Sequence, residues 1–261
     1  MNVDAVLLDI DGVLVTSWEA IPGAVETIGR LRGADVPFRL LTNTTRFSRT
    51  DMAATLRAAG FDVSPSEVLT AVVATGAYLR AHHPDARVAL LTDGDPRADL
   101  GDVRLVPLGE AADVVVLGGP SDDFTYPSLN ALFRNVMDGA ALVAMHRNRY
   151  WRTKDGLQLD AGAYVAALEA VTGATATVCG KPAAAYFAAA LEELGVSAGD
   201  VAMVGDDVEN DVAGAQAAGI RGVLVRTGKF RPDDLERGDV TPDEVIGSIA
   251  ELPRLLALEE R

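Results

Sequence analysis

Two aspartates follow the first apolar run of this chain, and their type and spacing could support chemistry. The run at residues 6–8 ends in Asp9-Ile10-Asp11-Gly12. Because the run is short and a glycine follows, we expect a buried strand that stops at a loop. Side chains two residues apart on a strand project to the same side, so Asp9 and Asp11 would lie together at its end. Two carboxylates this close require a cation, a shared proton or exposure to water, which leaves three interpretations open: a polar turn, a metal site, or a nucleophile beside an acid/base group.

Polar residues also follow three later apolar runs. They are Thr42 and Asn43 after residues 38–41, Lys181 after residues 176–179, and Asp206, Asp207 and Asp211 after residues 201–204. If these runs are strands of one parallel sheet, their carboxyl ends lie at one edge, which is where such sheets bind ligands. The sequence therefore predicts that several acids, a hydroxyl group and a lysine meet at this edge.

Electrostatics narrows the chemistry that such a group can perform. Two charges 4 Å apart interact by about 4 kcal/mol at an effective dielectric of about 20, so one lysine cannot offset three or more carboxylates. A divalent cation can, and carboxylate oxygens without His or Cys favour Mg²⁺ over Zn²⁺. Thr42 could then donate a hydrogen bond to a phosphate, and Lys181 could neutralise its charge. Asp9 could attack phosphorus to form an aspartyl-phosphate, while Asp11 protonates the leaving oxygen and later activates a water.

Strand and helix patterns alternate along the chain and would position these residues. The alternation predicts an α/β fold with a parallel sheet and right-handed crossovers. It begins again at about residue 65 and resumes at about residue 176, so we expect a core of residues 1–64 and 176–261 with a second α/β unit, residues 65–175, inserted into it. Within these limits we predict a helix over residues 67–82, a basic aromatic loop over residues 146–152, and a closing helix that includes Val245, Ile249 and Leu252.

Composition limits the partners of the protein. The chain has 23 Lys and Arg residues against 38 Asp and Glu, a net charge of −15, so we expect no nucleic-acid partner. An apolar fraction of 49% excludes a disordered chain. No apolar run approaches the width of a bilayer and the first residues lack a basic secretion signal, so no membrane partner is expected. Cys179 is the single cysteine, which agrees with a reducing, cytoplasmic location.

Four motifs in this order resemble those of the haloacid dehalogenase superfamily of phosphohydrolases. They are DIDGVL at residues 9–14, LLTNTT at 40–45, GKP at 180–182 and GDDVEND at 205–211. The long insert between the second and third motifs looks like the larger α/β cap, type IIA, of the subfamily that includes the nitrophenylphosphatases. Four longer stretches, TNTTRFSR, NRYWRTKDGL, GDDVENDVAGAQAAG and TGKFR, look like those of pyrophosphate and phosphoamidate phosphatases. The resemblance implies a Rossmann-like, HAD-like core with an inserted α/β cap domain.

The resemblance also implies a role for each residue of the predicted site. The implied roles are catalysis for Asp9 and Asp11, binding of Mg²⁺ for Asp9, Asp11 and Asp206, and binding of the substrate phosphate for Gly12, Thr42, Asn43 and Lys181. Asp11 would offer its backbone carbonyl to the metal. Asp207 and Asp211 would lie outside the ligand set. Asp211 would orient a metal-bound water or Lys181, or alternatively cap the N-terminus of a helix.

The cap should carry the substrate selectivity. Its densest basic and aromatic group comprises His146, Arg147, Asn148, Arg149, Trp151, Arg152 and Lys154. We expect His146, Asn148 and Arg149 to contribute to specificity, with a solvated loop or an oligomer contact as the alternative for each. The partners that we expect are a small phosphorylated substrate and a second copy of the chain, which would bind through the cap as a homodimer.

Together these features predict a Mg²⁺-dependent phosphatase. It would hydrolyse a small phosphorylated compound, pyrophosphate or a phosphoamidate through an aspartyl-phosphate. The alternatives are a phosphotransferase of the same superfamily and a phosphoryl-accepting signalling or binding protein without turnover. Receiver domains are much shorter and carry no cap, and neither the G-x-G-x-x-G nor the P-loop signature of a nucleotide-binding module is present.

Overall fold

The fold is given by a computed structural model that describes residues 1–153, 156–236 and 240–258. In chain order its strands are β1 Ala5–Asp9, β2 Val15–Thr16, β3 Glu19–Ala20, β4 Phe38–Thr42, β5 Val68–Thr70, β6 Val88–Leu91, β7 Leu105–Val106, β8 Val114–Leu117, β9 Ala141–Ala144, β10 Tyr150–Thr153, β11 Gly156–Leu159, β12 Thr177–Val178, β13 Val201–Gly205, β14 Arg221–Val225 and β15 Glu244–Ile246. Its α-helices are α1 Ala24–Gly33, α2 Arg49–Ala58, α3 Ala71–His82, α4 Arg97–Leu100, α5 Tyr126–Met137, α6 Ala161–Thr172, α7 Ala184–Leu194, α8 Gly214–Ala217, α9 Pro232–Glu236 and α10 Leu252–Leu255. Short 3₁₀-helices cover Pro65–Glu67, Ala198–Asp200 and Ile249–Glu251, and a π-helix covers Val208–Ala213.

The first of two units comprises Met1–Thr42, Arg49–Leu69 and Lys181–Arg261 and contains a six-stranded sheet. The strand order is β15-β14-β13-β1-β4-β5, and β1 pairs in parallel with both β13 and β4. Every residue of β1 and β13 is buried. Strands buried on both faces of a parallel sheet need continuous apolar sequence, which explains why the acids of these two segments occur only where the strands end.

The second unit comprises Asn43–Ser48 and Thr70–Gly180 and contains a five-stranded sheet. Its order is β12-β9-β8-β6-β7, and each neighbouring pair is parallel. Helices α5 and α6 contribute Leu132, Val136, Val165 and Leu168 to one apolar cluster. Helix α3 contributes Ala71, Val72 and Leu79 to another. The predicted α/β class with parallel sheets is confirmed, whereas the predicted limits of the core, 1–64 and 176–261, and of the cap, 65–175, stay a prediction.

Short strands account for the differences from the predicted elements. Residues 68–70 form β5 at the edge of the six-stranded sheet, and helix α3 begins only after Thr70, whose hydroxyl accepts a hydrogen bond from Val73 N at 3.2 Å. Val245 lies in β15, which pairs in parallel with β14 and is not helical. Strands of two or three residues are too short to show a period of two that would distinguish them from helix.

A β-hairpin replaces the last three residues, 150–152, of the predicted basic loop. Strands β10 and β11 are antiparallel, and Tyr150 is opposite Leu159. The sequence Tyr-Trp-Arg-Thr contains aromatic and β-branched residues that favour strands, so the loop prediction was wrong from Tyr150 onward. Lys154 lies outside the described residues.

Among the helices of the described chain, none has the length and apolar character needed to cross a membrane.

Candidate active site

Three buried carboxylates meet in the first unit at the carboxyl ends of β1 and β13. Asp9 is the last residue of β1, Asp206 follows β13, and Asp211 lies in the π-helix that comes next. All three are buried, and one carboxylate oxygen from each lies within 4.8 Å of the others. The strands bring Asp9 and Asp206 together because Leu8 pairs with Val204 in parallel register.

Lys181 binds two of these acids. Its side chain is buried, and Nζ lies 2.6 Å from Asp9 Oδ1 and 2.7 Å from Asp211 Oδ1. Burial acts to lower the pKa of Lys181, but the charges of Asp211 and Asp9 outweigh it and raise the pKa above its ordinary value. Lys181 therefore remains protonated and neutralises part of the acidic cluster.

The cluster has more negative charge than Lys181 can neutralise, and this excess fits a metal ion. Asp206 Oδ1 is buried and, among the described residues, has no hydrogen-bond partner. Burial raises the pKa of Asp206 to about 8, and the charges of Asp9 and Asp211 add to the rise. Burial likewise raises the pKa of Asp211 to about 7. A hard divalent cation with oxygen ligands would relieve both the repulsion and the unsatisfied oxygen.

Asp11 has a different environment from these three acids. It follows β1, and its side chain is exposed rather than part of the buried trio. The surrounding protein still raises the pKa of Asp11 by desolvation, against the opposing charges of Lys229 and Lys181. Gly12 then adopts φ +84°, and a Cβ at this position would collide with the Asp206 carboxylate. Glycine is therefore required where the loop passes the cluster.

Thr42 is fixed by a tyrosine that the sequence did not point to. Thr42 is buried at the end of β4, directly after Leu41, the partner of Asp9 in the sheet. The Tyr186 hydroxyl accepts a hydrogen bond from Thr42 N at 3.2 Å and lies 3.1 Å from Thr42 O and 2.6 Å from Leu69 O. One hydroxyl proton can serve only one of these carbonyls at a time, so Tyr186 joins backbone groups of β4 and β5.

The helix-capping role that we considered for Asp211 belongs to Asp207. The Asp207 carboxylate accepts hydrogen bonds from Glu209 N at 3.1 Å and Asn210 N at 3.0 Å, which caps the π-helix. Burial acts to raise the pKa of Asp207, but Lys229 and the Asn210 hydrogen bonds outweigh it and lower the pKa. Asp211 lies inside this helix and binds Lys181.

The loop after β14 contributes residues that were absent from the predicted site. Thr227 Oγ1 donates a hydrogen bond to Gly12 O at 2.5 Å, and Lys229 N donates one to Asp206 Oδ2 at 2.7 Å. Gly228 has φ +64°, and a Cβ there would collide with the Asp206 carboxylate. A Thr-Gly pair after an apolar strand signals a turn, but the sequence does not reveal which residues that turn contacts.

The remaining predicted residues lie in the second unit. Asn43 Nδ2 donates a long hydrogen bond, 3.5 Å, to Asn148 Oδ1. His146 is buried, with Nε2 3.8 Å from Asp160 Oδ1. Arg149 is exposed. The second unit thus brings Asn43 and Asn148 together and leaves Arg149 at its surface.

Comparison with known families identifies the kind of protein that has this site. A family model described as haloacid dehalogenase-like hydrolase matches residues 6–105, and a related HAD-hydrolase-like model matches residues 178–252. The human haloacid dehalogenase-like hydrolase domain-containing protein 2 is 40% identical over 238 residues, which cover 91% of this chain and 90% of that protein.

Two phosphatases are also similar along almost the whole chain. The phospholysine phosphohistidine inorganic pyrophosphate phosphatase of Bos taurus is 37% identical over 261 residues, covering 98% of this chain and 94% of that protein. The crystal structure of a 4-nitrophenylphosphatase from Thermotoga maritima aligns with a TM-score of 0.90 at 30% identity, covering 97% of each chain.

Proposed function

This chain belongs to the haloacid dehalogenase-like hydrolases and is a phosphohydrolase, and from that premise we propose that it is a Mg²⁺-dependent phosphatase acting through an aspartyl-phosphate. Its substrate would be a small phosphorylated compound, pyrophosphate or a phosphoamidate. The observation that carries the proposal is the buried group of Asp9, Asp206 and Asp211 with Lys181 bound between two of them. A buried excess of carboxylates with one lysine suits a site that binds a cation and a phosphate together.

The metal would be held by Asp9, Asp206 and the backbone carbonyl of Asp11. The fit rests on the unsatisfied Oδ1 of Asp206 and on the all-oxygen donor set. When bound, Mg²⁺ supplies positive charge that stabilises the transferring phosphoryl group. Asp211 would stay bound to Lys181 and hold the ammonium group in place, as the 2.7 Å contact supports.

In the proposed reaction, two aspartates divide the chemistry. An Asp9 carboxylate oxygen forms a bond to phosphorus while the bond from phosphorus to the leaving oxygen breaks and Asp11 gives that oxygen a proton. A water then attacks the phosphorus of the aspartyl-phosphate, Asp11 takes its proton, and the Asp9 carboxylate is released. The exposed position of Asp11 supports this assignment because a proton donor to the leaving group must remain accessible.

The other proposed roles concern binding. Gly12, Thr42, Asn43 and Lys181 would hold the phosphoryl group, and His146, Asn148 and Arg149 would contribute to selectivity. We also propose that two copies of the chain associate through the second unit. Support for this comes from the hairpin β10–β11, where Leu157 and Leu159 are 57% and 60% exposed, because exposed apolar patches mark sites of association.

The proposed function is tested by Asp9→Asn. The change is nearly isosteric, so the variant should fold but lose at least about a thousandfold in kcat for 4-nitrophenyl phosphate with Mg²⁺, as expected when a nucleophile is removed. Asp4→Asn is the matched control, since Asp4 is exposed directly before the other end of β1. Thermal melting establishes that both variants are folded. Turnover by the Asp9 variant at the rate of the control would refute the nucleophile assignment.

A further inference from the structure

A second lysine reaches the acidic cluster of the first unit from the loop after β14. Lys181 has Nζ contacts of 2.6 and 2.7 Å with Asp9 and Asp211 and is 3% exposed. Its charge is therefore committed to the buried carboxylates and to the phosphoryl group under attack. A substrate whose leaving group carries its own negative charge needs another cation.

The backbone of the loop fixes the position of Lys229. The Thr227 hydroxyl binds Gly12 O at 2.5 Å, and Lys229 N binds Asp206 Oδ2 at 2.7 Å. Gly228 lies between them, against the Asp206 carboxylate and the Cα of Gly12. Because Gly12 directly follows Asp11, the loop lies beside the residue proposed to protonate the leaving group.

The side chain of Lys229 is held much less tightly than its backbone. Its ammonium group is 3.5 Å from Asp207 Oδ2, and the side chain is 54% exposed. Exposed ion pairs of this length contribute little and are readily exchanged. The positive charge of Lys229 acts to lower the pKa of Asp11, against the effect of burial. The ammonium group therefore interacts with the proposed proton donor and also remains accessible from solvent.

We propose that Lys229 determines specificity by binding the leaving phosphate group of pyrophosphate. This inference rests on the proposed function. When the bond from phosphorus to the bridging oxygen of pyrophosphate breaks and Asp11 protonates that oxygen, the departing phosphate still carries negative charge. A departing aryl alcohol, once protonated, is neutral. An ammonium group on the loop that contacts Gly12, next to Asp11 in the chain, therefore favours pyrophosphate over an aryl phosphate.

The test compares Lys229→Met with Lys229→Arg, which keeps the charge. The measured quantity is the ratio of kcat/KM for pyrophosphate to kcat/KM for 4-nitrophenyl phosphate. We expect Lys229→Met to lower this ratio about tenfold, which corresponds to about 1.4 kcal/mol, largely through a higher KM for pyrophosphate. Lys229→Arg should stay within about threefold of the wild-type ratio, because the guanidinium group also binds phosphate.

The matched control is Arg226→Met, which removes one positive charge from an exposed residue of the same loop and should leave the ratio unchanged. An equal loss on both substrates with Lys229→Met would overturn the inference, since it would show that the side chain acts on a step common to both substrates and not on the leaving group. An unchanged ratio, or a wild-type protein that hydrolyses the aryl phosphate but not pyrophosphate, would also overturn it. Failure of the proposed function is distinguishable from failure of this inference. If the proposed function were wrong, Asp9→Asn would hydrolyse 4-nitrophenyl phosphate as fast as Asp4→Asn does.

Discussion

Burial of charge is the dominant property of the site at the scale of single residues. Asp206 and Asp211 carry raised pKa values of about 8 and about 7 because they are buried beside Asp9. Lys181 binds Asp9 and Asp211, while Lys229 donates a backbone hydrogen bond to Asp206. The folded protein without a cation must therefore either hold these acids protonated or tolerate their repulsion.

This arrangement predicts that the metal-free protein loses stability as the pH rises. A carboxyl group whose pKa is higher in the folded state binds protons more tightly there, so the free energy of unfolding falls between about pH 4 and pH 8. For each proton released the slope approaches about 1.4 kcal/mol per pH unit. In EDTA, the melting temperature should be several degrees lower at pH 8 than at pH 6, and added Mg²⁺ should largely remove the difference.

Asp206→Asn is the control for this pH dependence. The amide does not titrate and repels neither Asp9 nor Asp211, so the variant should show a smaller fall in melting temperature and a smaller response to Mg²⁺. A metal-free wild-type protein that is more stable at pH 8 than at pH 6 would contradict the prediction.

At the scale of elements, Tyr186 connects helix α7 to two strands. Its hydroxyl contacts Thr42 at the end of β4 and Leu69 in β5, and burial raises the pKa of Tyr186, so the group stays neutral and able to donate. Thr42 and Leu69 are the last residues of two segments of the first unit. The Tyr186 hydroxyl therefore binds the backbone at the ends of both segments.

Tyr186→Phe should destabilise the protein by about 1–3 kcal/mol, because it leaves buried backbone groups of Thr42 and Leu69 without their partner. Chemical denaturation measures this loss. Tyr126→Phe is the control, since Tyr126 is 82% exposed and its change should stay within about 0.5 kcal/mol. Equal stability of the two variants would show that the buried hydroxyl contributes nothing.

Element length explains which parts of the fold the sequence predicted. Strands β1 and β13 are each five residues long and begin with four apolar residues; Asp9 ends β1 and Asp206 directly follows β13. Both strands were recognised. The two-residue strand β12 pairs with β9 in the sheet of the second unit. We had predicted that Lys181 follows a strand of the six-stranded sheet, and this was wrong. Its side chain nevertheless contacts Asp9, at the end of β1 in that sheet. Such a short strand carries no periodicity from which its sheet could be inferred.

At the scale of the whole molecule, the proposed homodimer is testable through the hairpin. Leu157→Asp together with Leu159→Asp should convert a dimer to a monomer, because two charges would be buried in an apolar contact. Sedimentation velocity measures the mass. Val171→Asp is the control, as Val171 is an exposed apolar residue on α6. A wild-type protein that sediments as a monomer at micromolar concentration would refute the proposed association.

The sequence by itself determined the α/β class, the family and the four motifs, because buried parallel strands and the polar residues after them are local patterns. Only the tertiary structure decided which acids meet. It placed Asp211 rather than the Asp11 side chain beside Asp9 and Asp206, and it added Tyr186 and the loop of Lys229. The physical reason is that contacts between residues as far apart as Asp9 and Lys181 depend on sheet order and helix packing, which no local pattern of residues encodes.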